Sequence, residues 1–220
     1  MESLDMLANN IANSETAGFK SDREFYNLYQ QELPVIENHW TDFSQGSLIA
    51  TGNPLHLALS GEGFFVAQGA NGPVYTRNGN LQILKNNQLA TAEGYPLRDV
   101  RRPGQPLTVD PTQSIAIDKA GLVTQAGQAI GQLEIARMPN SSDAVRKLGH
   151  SYFAMLERGT AGAPPQTEVL QAHLEQSNVT VADAAVRLVG VMRQFEMLQK
   201  AMNIGAQMGR EAIQDVAKVS

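Results

Sequence analysis

The chain contains no cysteine, which excludes disulfides and thiolate-held metal sites. Aromatic residues are scarce, at 6%. No apolar run approaches the ~20 residues a helix needs to cross a bilayer. No charged n-region followed by an apolar h-region opens the chain, so a cleaved secretory signal is not expected. Positive charge is in deficit: the net charge is −5, which argues against a nucleic-acid binder that relies on phosphate attraction. The last fifth, 181–219, has no proline, so nothing in it interrupts a helix.

What is present there is a seam. Val181, Ala184, Leu188, Val191, Phe195, Leu198, Met202 and Gly205 recur at steps of three and four, with Ala212 and Val216 after them, the spacing of a helix that seeks a partner helix. Thr180 and Asp183 suit its start, near the positive end of the helix dipole. Unbroken, it spans roughly 55 Å. At the other end, Leu4, Leu7, Ala8 and Ile11 form a short apolar stripe. Asn9, Asn10 and Asn13 crowd its end, and Thr16-Ala-Gly18 reads as a stop. About ten residues do not make a stable isolated helix. The stripe is therefore held by the C-terminal helix, by another copy, or by nothing until assembly.

The middle reads differently. Phe25, Leu28 and Tyr29 have helical spacing up to Pro34. Leu55, Leu57 and Leu59 alternate with His56 and Ala58, as in a half-buried strand. From 60 to 136, short apolar runs are separated by turn signals at Gly61-Glu-Gly63, Asn71-Gly72, Asn78-Gly79, Asn86-Asn87 and Glu93-Gly94. This predicts hairpins in an antiparallel sheet closing as a sandwich or barrel. Arg98–Pro111 reads as a basic, proline-rich loop and 139–150 as a connecting turn or short helix. Ser151–Leu156 reads as a last strand, and Gly159–Pro165 as a loop without core residues.

Chemistry is sparse. His39, His56, His150 and His173 lack metal-ligand spacing. Gly61-Glu-Gly63 precedes a strand, so no helix dipole points at an anion. Glu62, Glu93 and Asp99 offer carboxylates without a spacing that selects a pair, and no serine has a nucleophile-elbow setting. Arg98, Arg101 and Arg102 read as a solvated loop. Met192, Met197, Met202 and Met208 suit interhelical packing better than an adaptable peptide groove. No catalytic, cofactor-binding or metal residue is expected.

Ala8-Asn-Asn-Ile-Ala-Asn13 followed by Thr16-Ala-Gly-Phe-Lys20 resembles the N-terminal signature of bacterial flagellar rod and hook proteins. Leu59-Ser-Gly-Glu-Gly-Phe-Phe65, Tyr75-Thr-Arg-Asn-Gly79, Gln88–Gly94, Ile115–Asp118, Gly121–Val123 and Gly131–Leu133 are similar to that family's β-domain segments. Leu174-Glu-Gln-Ser-Asn-Val179, Phe195-Glu196 and Gln199-Lys200 are similar to its C-terminal signature. The resemblance implies a mainly β chain with terminal α-helices: an antiparallel β sandwich or barrel-like domain inserted between axial helices. The expected layout is an N-terminal helix and signature over 1–30, an extended arm over 31–58, the β domain over 59–160, a return linker over 161–176 and a coiled-coil helix over 177–220. It implies a self-assembling structural subunit of the basal-body rod, in the periplasmic space, and not an enzyme. The implied partners are other copies, neighbouring rod and hook proteins and the flagellar export apparatus, with no nucleic acid, membrane insertion or cofactor.

The implied packing residues are Leu4, Leu7, Asn10, Ile11, Asn13, Gly18, Phe19, Leu188, Val191, Phe195, Leu198 and Met202. The tail after Lys200 is more similar to proximal-rod than to distal-rod or hook members. Two features depart from the family: only seven residues precede the Ala-Asn-Asn motif, where its helix extends a dozen or more, which implies a longer native start; and Met192-Arg193-Gln194 replaces the usual Gln-Arg pair. Two other classes remain as expectations to test. A carbohydrate-active or peptidoglycan-cleaving enzyme would show a cleft with paired carboxylates. A self-contained binding module would pair its helices within one monomer.

Overall fold

Both chain ends become helices because their apolar residues share one helical face. The computed structural model describes residues 2–27, 35–137, 145–149, 151–155 and 167–218. The N-terminal stripe forms α1, Glu2–Ala12. It is followed by an antiparallel hairpin of β1, Asp22–Asn27, and β2, Val35–Thr41. Next come β3, Leu48–Ala50, β4, Leu57–Ser60, β5, Phe64–Gly69, and β6, Gly72–Thr76. They lead to β7, Leu81–Ile83, β8, Leu89–Thr91, β9, Arg98–Asp99, and β10, Arg102–Pro106. Then follow β11, Ile115–Ile117, β12, Leu122–Gln125, β13, Gln128–Gln132, and β14, Ile135–Ala136. The last strands are β15, Val145–Gly149, β16, Tyr152–Met155, β17, Glu168–Gln171, and β18, His173–Glu175. The chain ends in α2, Val181–Lys218, 38 residues long.

The largest sheet has the order β14-β5-β6-β16-β15. Period-two alternation explains its burial on both faces. Along β5, Phe65 and Ala67 enter a core with Leu57, Leu59, Leu89, Leu97, Leu107, Val123 and Leu133. Phe64 and Val66 point the other way, into a second cluster with Tyr75 and Phe153. Phe43, Phe64 and Phe153 meet edge to face there, with ring centroids 5.4–5.6 Å apart, the geometry their quadrupoles favour. The remaining sheets have two or three strands. All described pairings are antiparallel, and the sheets do not close into a barrel, which corrects the barrel-like expectation.

Several local readings are also corrected. The helical spacing of Phe25, Leu28 and Tyr29 does not produce a helix over 22–27. Pairing of β1 with β2 satisfies that backbone instead, and an isolated helix so short has little stability of its own. Residues 28–34 lie outside the described residues. β4 is not half-buried: Leu57, Ala58 and Leu59 are all fully buried. Asn71-Gly72 is off by one, because Gly69 pairs with Gly72 and leaves Ala70 and Asn71 as the turn. Asn78-Gly79 makes no hairpin, since β6 pairs with β5 and β16, and β7 with β8. Arg98–Pro111 holds the β9–β10 hairpin. Residues 145–149 form an edge strand, while 138–144, 150 and the loop at 159–165 lie outside the described residues. The arm and return segments carry paired strands: β17 with β4 and β18 with β3.

Candidate interaction surface

The two helices meet at their roots. The Thr180 carbonyl accepts the first helical bond from Ala184 N, at 3.0 Å, and Asp183 lies in the first turn of α2. Leu7 of α1 and Ala184 of α2 are buried, at 8% and 6% exposure. Leu4, Ile11, Leu188 and Val191 are half-buried. A cavity of about 430 Å³ opens between α1, the start of β1 and the first turns of α2, lined by Met6, Leu7, Asn10, Ala184, Arg187 and Val191 among others. Asn13 closes α1: its side-chain amide donates to the Asn9 carbonyl at 2.9 Å.

Beyond Val191 the burial ends. Every residue from Met192 to Met208 is exposed. Phe195, Leu198 and Met202 are 47%, 63% and 67% exposed, and Met192, Met197, Ile204 and Met208 are also open to solvent. Among the described residues nothing covers this run of large apolar side chains, and an uncovered apolar patch of that kind is what interaction surfaces are made of.

The remaining signature residues turn inward. Asn10 is buried and grips the backbone of Asp22 at two points: its amide donates to Asp22 O at 2.8 Å, and its carbonyl accepts from Asp22 N at 3.1 Å. Gly18 has φ +65°, and a Cβ there would lie 2.3 Å from the Arg77 backbone. Phe19 is buried beneath Lys147, whose Nζ sits 4.3 Å from the ring centroid. Thus Asn10, Gly18 and Phe19 pack within their own chain, while Phe195, Leu198 and Met202 face out.

The turn at Gly18 opens onto a buried ionic cluster that patterns of hydrophobicity did not reveal. Lys20 Nζ lies 2.6 Å from Glu175 Oε1, and Arg77 Nη1 lies 2.9 Å from Glu175 Oε2. Lys20 also donates to Ser44 O at 2.6 Å, and Gly46 N donates to Glu175 Oε1 at 3.0 Å. Arg77 donates to Leu59 O and Gly61 O, while its Nε makes no hydrogen bond. Burial pushes the pKa of both cations down, against the pull of the shared carboxylate. Nearby, Ser21 N donates to the Asn178 side-chain carbonyl at 2.8 Å, and the Asn178 amide donates to Asp42 O at 2.7 Å. Each charged member lies inside a different motif: Thr16–Lys20, Tyr75–Gly79 and Leu174–Val179. Their neighbours gave no local signal: Arg77 stands between Thr76 and Asn78, and Glu175 between Leu174 and Gln176.

The other polar candidates are committed separately. Asp99 is buried and bound by Arg102 Nε and by the backbone N–H groups of Arg101 and Gln132. Glu62 pairs with Arg137, and Glu93 accepts the Tyr152 hydroxyl. His56 bonds to Thr51 and Asn53. Arg98 sits beside Glu134. Among the described residues, no three His, Asp or Glu side chains gather as a metal site, and no helix is long and apolar enough to cross a membrane.

Comparison with known proteins places these features. Residues 2–20 match the family described as flagella basal body rod protein. Residues 58–125 match the flagellar hook protein FlgE/F/G D1 domain, and 170–215 the flagellar basal body rod FlgEFG protein C-terminal. The chain is 30% identical to the flagellar basal-body rod protein FlgG of Agrobacterium fabrum, over 93% of this chain and 90% of that one. It is 29% identical to the flagellar basal-body rod protein FlgF of Caulobacter vibrioides, over 99% and 93%. It is also 29% identical to FlgF of Salmonella typhimurium, over 90% and 85%. With the terminal helices, the antiparallel body between them and all three motif regions matched in order, the chain belongs to the flagellar basal-body rod protein family.

Proposed function

We propose that this chain is a structural subunit of the flagellar basal-body rod that assembles with other copies, and with neighbouring rod and hook proteins, through its helices. The observation that carries this reading is the uncovered apolar surface of α2 from Met192 to Met208. Fully burying a Phe, Leu or Met side chain stabilises by roughly 1.5–3 kcal/mol, so covering Phe195, Leu198 and Met202 in neighbours drives association. Head-to-tail contacts that do not close build a tube. Leu4, Leu7, Ile11, Leu188 and Val191 then pack the inner layer beside them. Asn10, Asn13, Gly18 and Phe19 hold the N-terminal end in place.

The proximal rod is the favoured position. The tail Arg210–Lys218 supports it, as does the match to the Caulobacter FlgF along nearly the whole chain. FlgG relatives of similar identity keep the distal rod as the second reading. The subunit reaches the basal body through the flagellar export apparatus.

Sedimentation and circular dichroism across a dilution series test the assembly. Helical signal should rise together with mass, because the last turns of α2 gain order when packed. A chain that stays monomeric with constant helicity at every concentration would end the reading. Restoration of swimming in cells lacking the proximal rather than the distal rod subunit would fix the position.

A further inference from the structure

Lys20, Arg77 and Glu175 come from the root of α1, the β body and the strand before α2. Glu175 is fully buried, and its two carboxylate oxygens face different cations: Oε1 takes Lys20 at 2.6 Å and Oε2 takes Arg77 at 2.9 Å. The charge left over is met by the carbonyls of Ser44, Leu59 and Gly61. Such a cluster is a poor source of stability, because desolvation offsets most of the attraction and well-packed apolar residues do as well or better. What it supplies is direction, since a carboxylate accepts along fixed lines.

From Glu175 the chain runs to α2 with no slack. Gln176 N donates to Ser47 O at 2.9 Å, Asn178 N to Phe19 O at 3.3 Å and Val179 N to Ser177 Oγ at 3.2 Å. Gly18 N donates to the Glu175 carbonyl at 2.8 Å, so the root of α1 is tied to the same residue. The main packing partner of α2 among the described elements is α1, only 11 residues long. A swing of about 10° at the root moves Met202, some 30 Å along the helix, by about 5 Å, half the 8–10 Å spacing of packed helices.

We propose that Lys20, Arg77 and Glu175 form a positioning joint: the shared carboxylate sets the angle at which α2 leaves the β body, and so the angle at which the apolar helix is presented to its neighbours. The joint rests on the rod reading for its purpose, but its geometry belongs to the single chain and is tested there.

The absence of cysteine makes the test direct. Dyes placed by Ala129→Cys on β13 and Gln199→Cys on α2 report the body-to-helix distance by single-molecule energy transfer, at dilutions where nothing associates. The otherwise unaltered chain should give one narrow distribution. The apolar triple Lys20→Met, Arg77→Met, Glu175→Leu should keep the melting transition of the body while its distribution widens about twofold. Arg77→Lys keeps the charge and the fold but loses the forked reach to Leu59 and Gly61, and should widen it less. A folded variant of either kind with the parent's width and mean would overturn the joint. The rod reading fails separately, if the parent chain does not assemble. If the loosened variants assemble as well as the parent, the joint has no part in assembly and the proposal falls.

Discussion

The two parts of α2 share one pattern and differ in surroundings. Over 184–191 the seam is covered: Ala184 is buried and Leu188 and Val191 are half-buried beside α1. Over 192–208 the same spacing continues through Phe195, Leu198 and Met202, and all are exposed. Hydrophobic periodicity therefore says that a face will be buried, but not by what. Ordinarily a soluble monomer cannot leave so many large apolar side chains on one helix, which is why the uncovered part reads as interface and the covered part as root.

Substitutions that treat the body, the root and the far helix differently sharpen this contrast. Phe65→Ala opens a cavity in the core that Phe65 shares with Leu57 and Leu89 and should cost about 3–5 kcal/mol in denaturant unfolding. Gly79→Ala is next, at about 3 kcal/mol. A Cβ there would lie 1.7 Å from the Leu57 carbonyl oxygen, a backbone atom that cannot step aside cheaply. A loss below about 1 kcal/mol would show that the β4 backbone yields more readily than its burial suggests.

Acid gives a graded effect confined to the body. Desolvation pushes the Asp99 carboxyl up, but the donors Gln132 N, Arg102 and Arg101 N outweigh it and hold it below the usual carboxylate range. The stability this contributes is complete above the unfolded value near 4 and disappears as pH falls through the lower folded value. Urea midpoints between pH 7 and pH 2 should fall across that window. Asp99→Asn should lower the neutral midpoint and flatten the acid limb, and an unchanged limb would assign the acid sensitivity elsewhere.

The smallest effects lie on the far helix. A methyl group added at Gly205 would meet no atom within 4 Å, so Gly205→Ala should raise the helicity of the dilute chain by the usual 0.5–1 kcal/mol preference, roughly. Phe195→Ala should change the dilute chain by less than about 0.5 kcal/mol while weakening self-association in sedimentation. If Phe195→Ala instead lowered the melting of the dilute chain as Phe65→Ala does, the far helix would be covered within the monomer.

Much of this was legible in the sequence. The α2 seam, the α1 stripe, the turns at Asn86-Asn87 and Glu93-Gly94 and most strands between 64 and 136 follow from local spacing. The misreadings share a cause. Gly79 looked like a turn residue, yet what it serves is a close backbone approach to Leu57, which lies elsewhere in the sequence. Phe25 kept helical spacing, but a strand 13 positions later, at Asn38, claimed its backbone. The ionic cluster is the extreme case: its members match three separate motifs, and no local pattern states that a lysine, an arginine and a glutamate share one buried site.

That cluster also bears on when the chain can fold. Lys20 and Glu175 are 155 positions apart, and Arg77 and Glu175 98 apart. Closing loops of that length is slow, and until Glu175 has been synthesised the two cations lack the one carboxylate that both of them contact. The cluster therefore closes only after Glu175 has left the ribosome, and a chain cut short before that residue should leave it open.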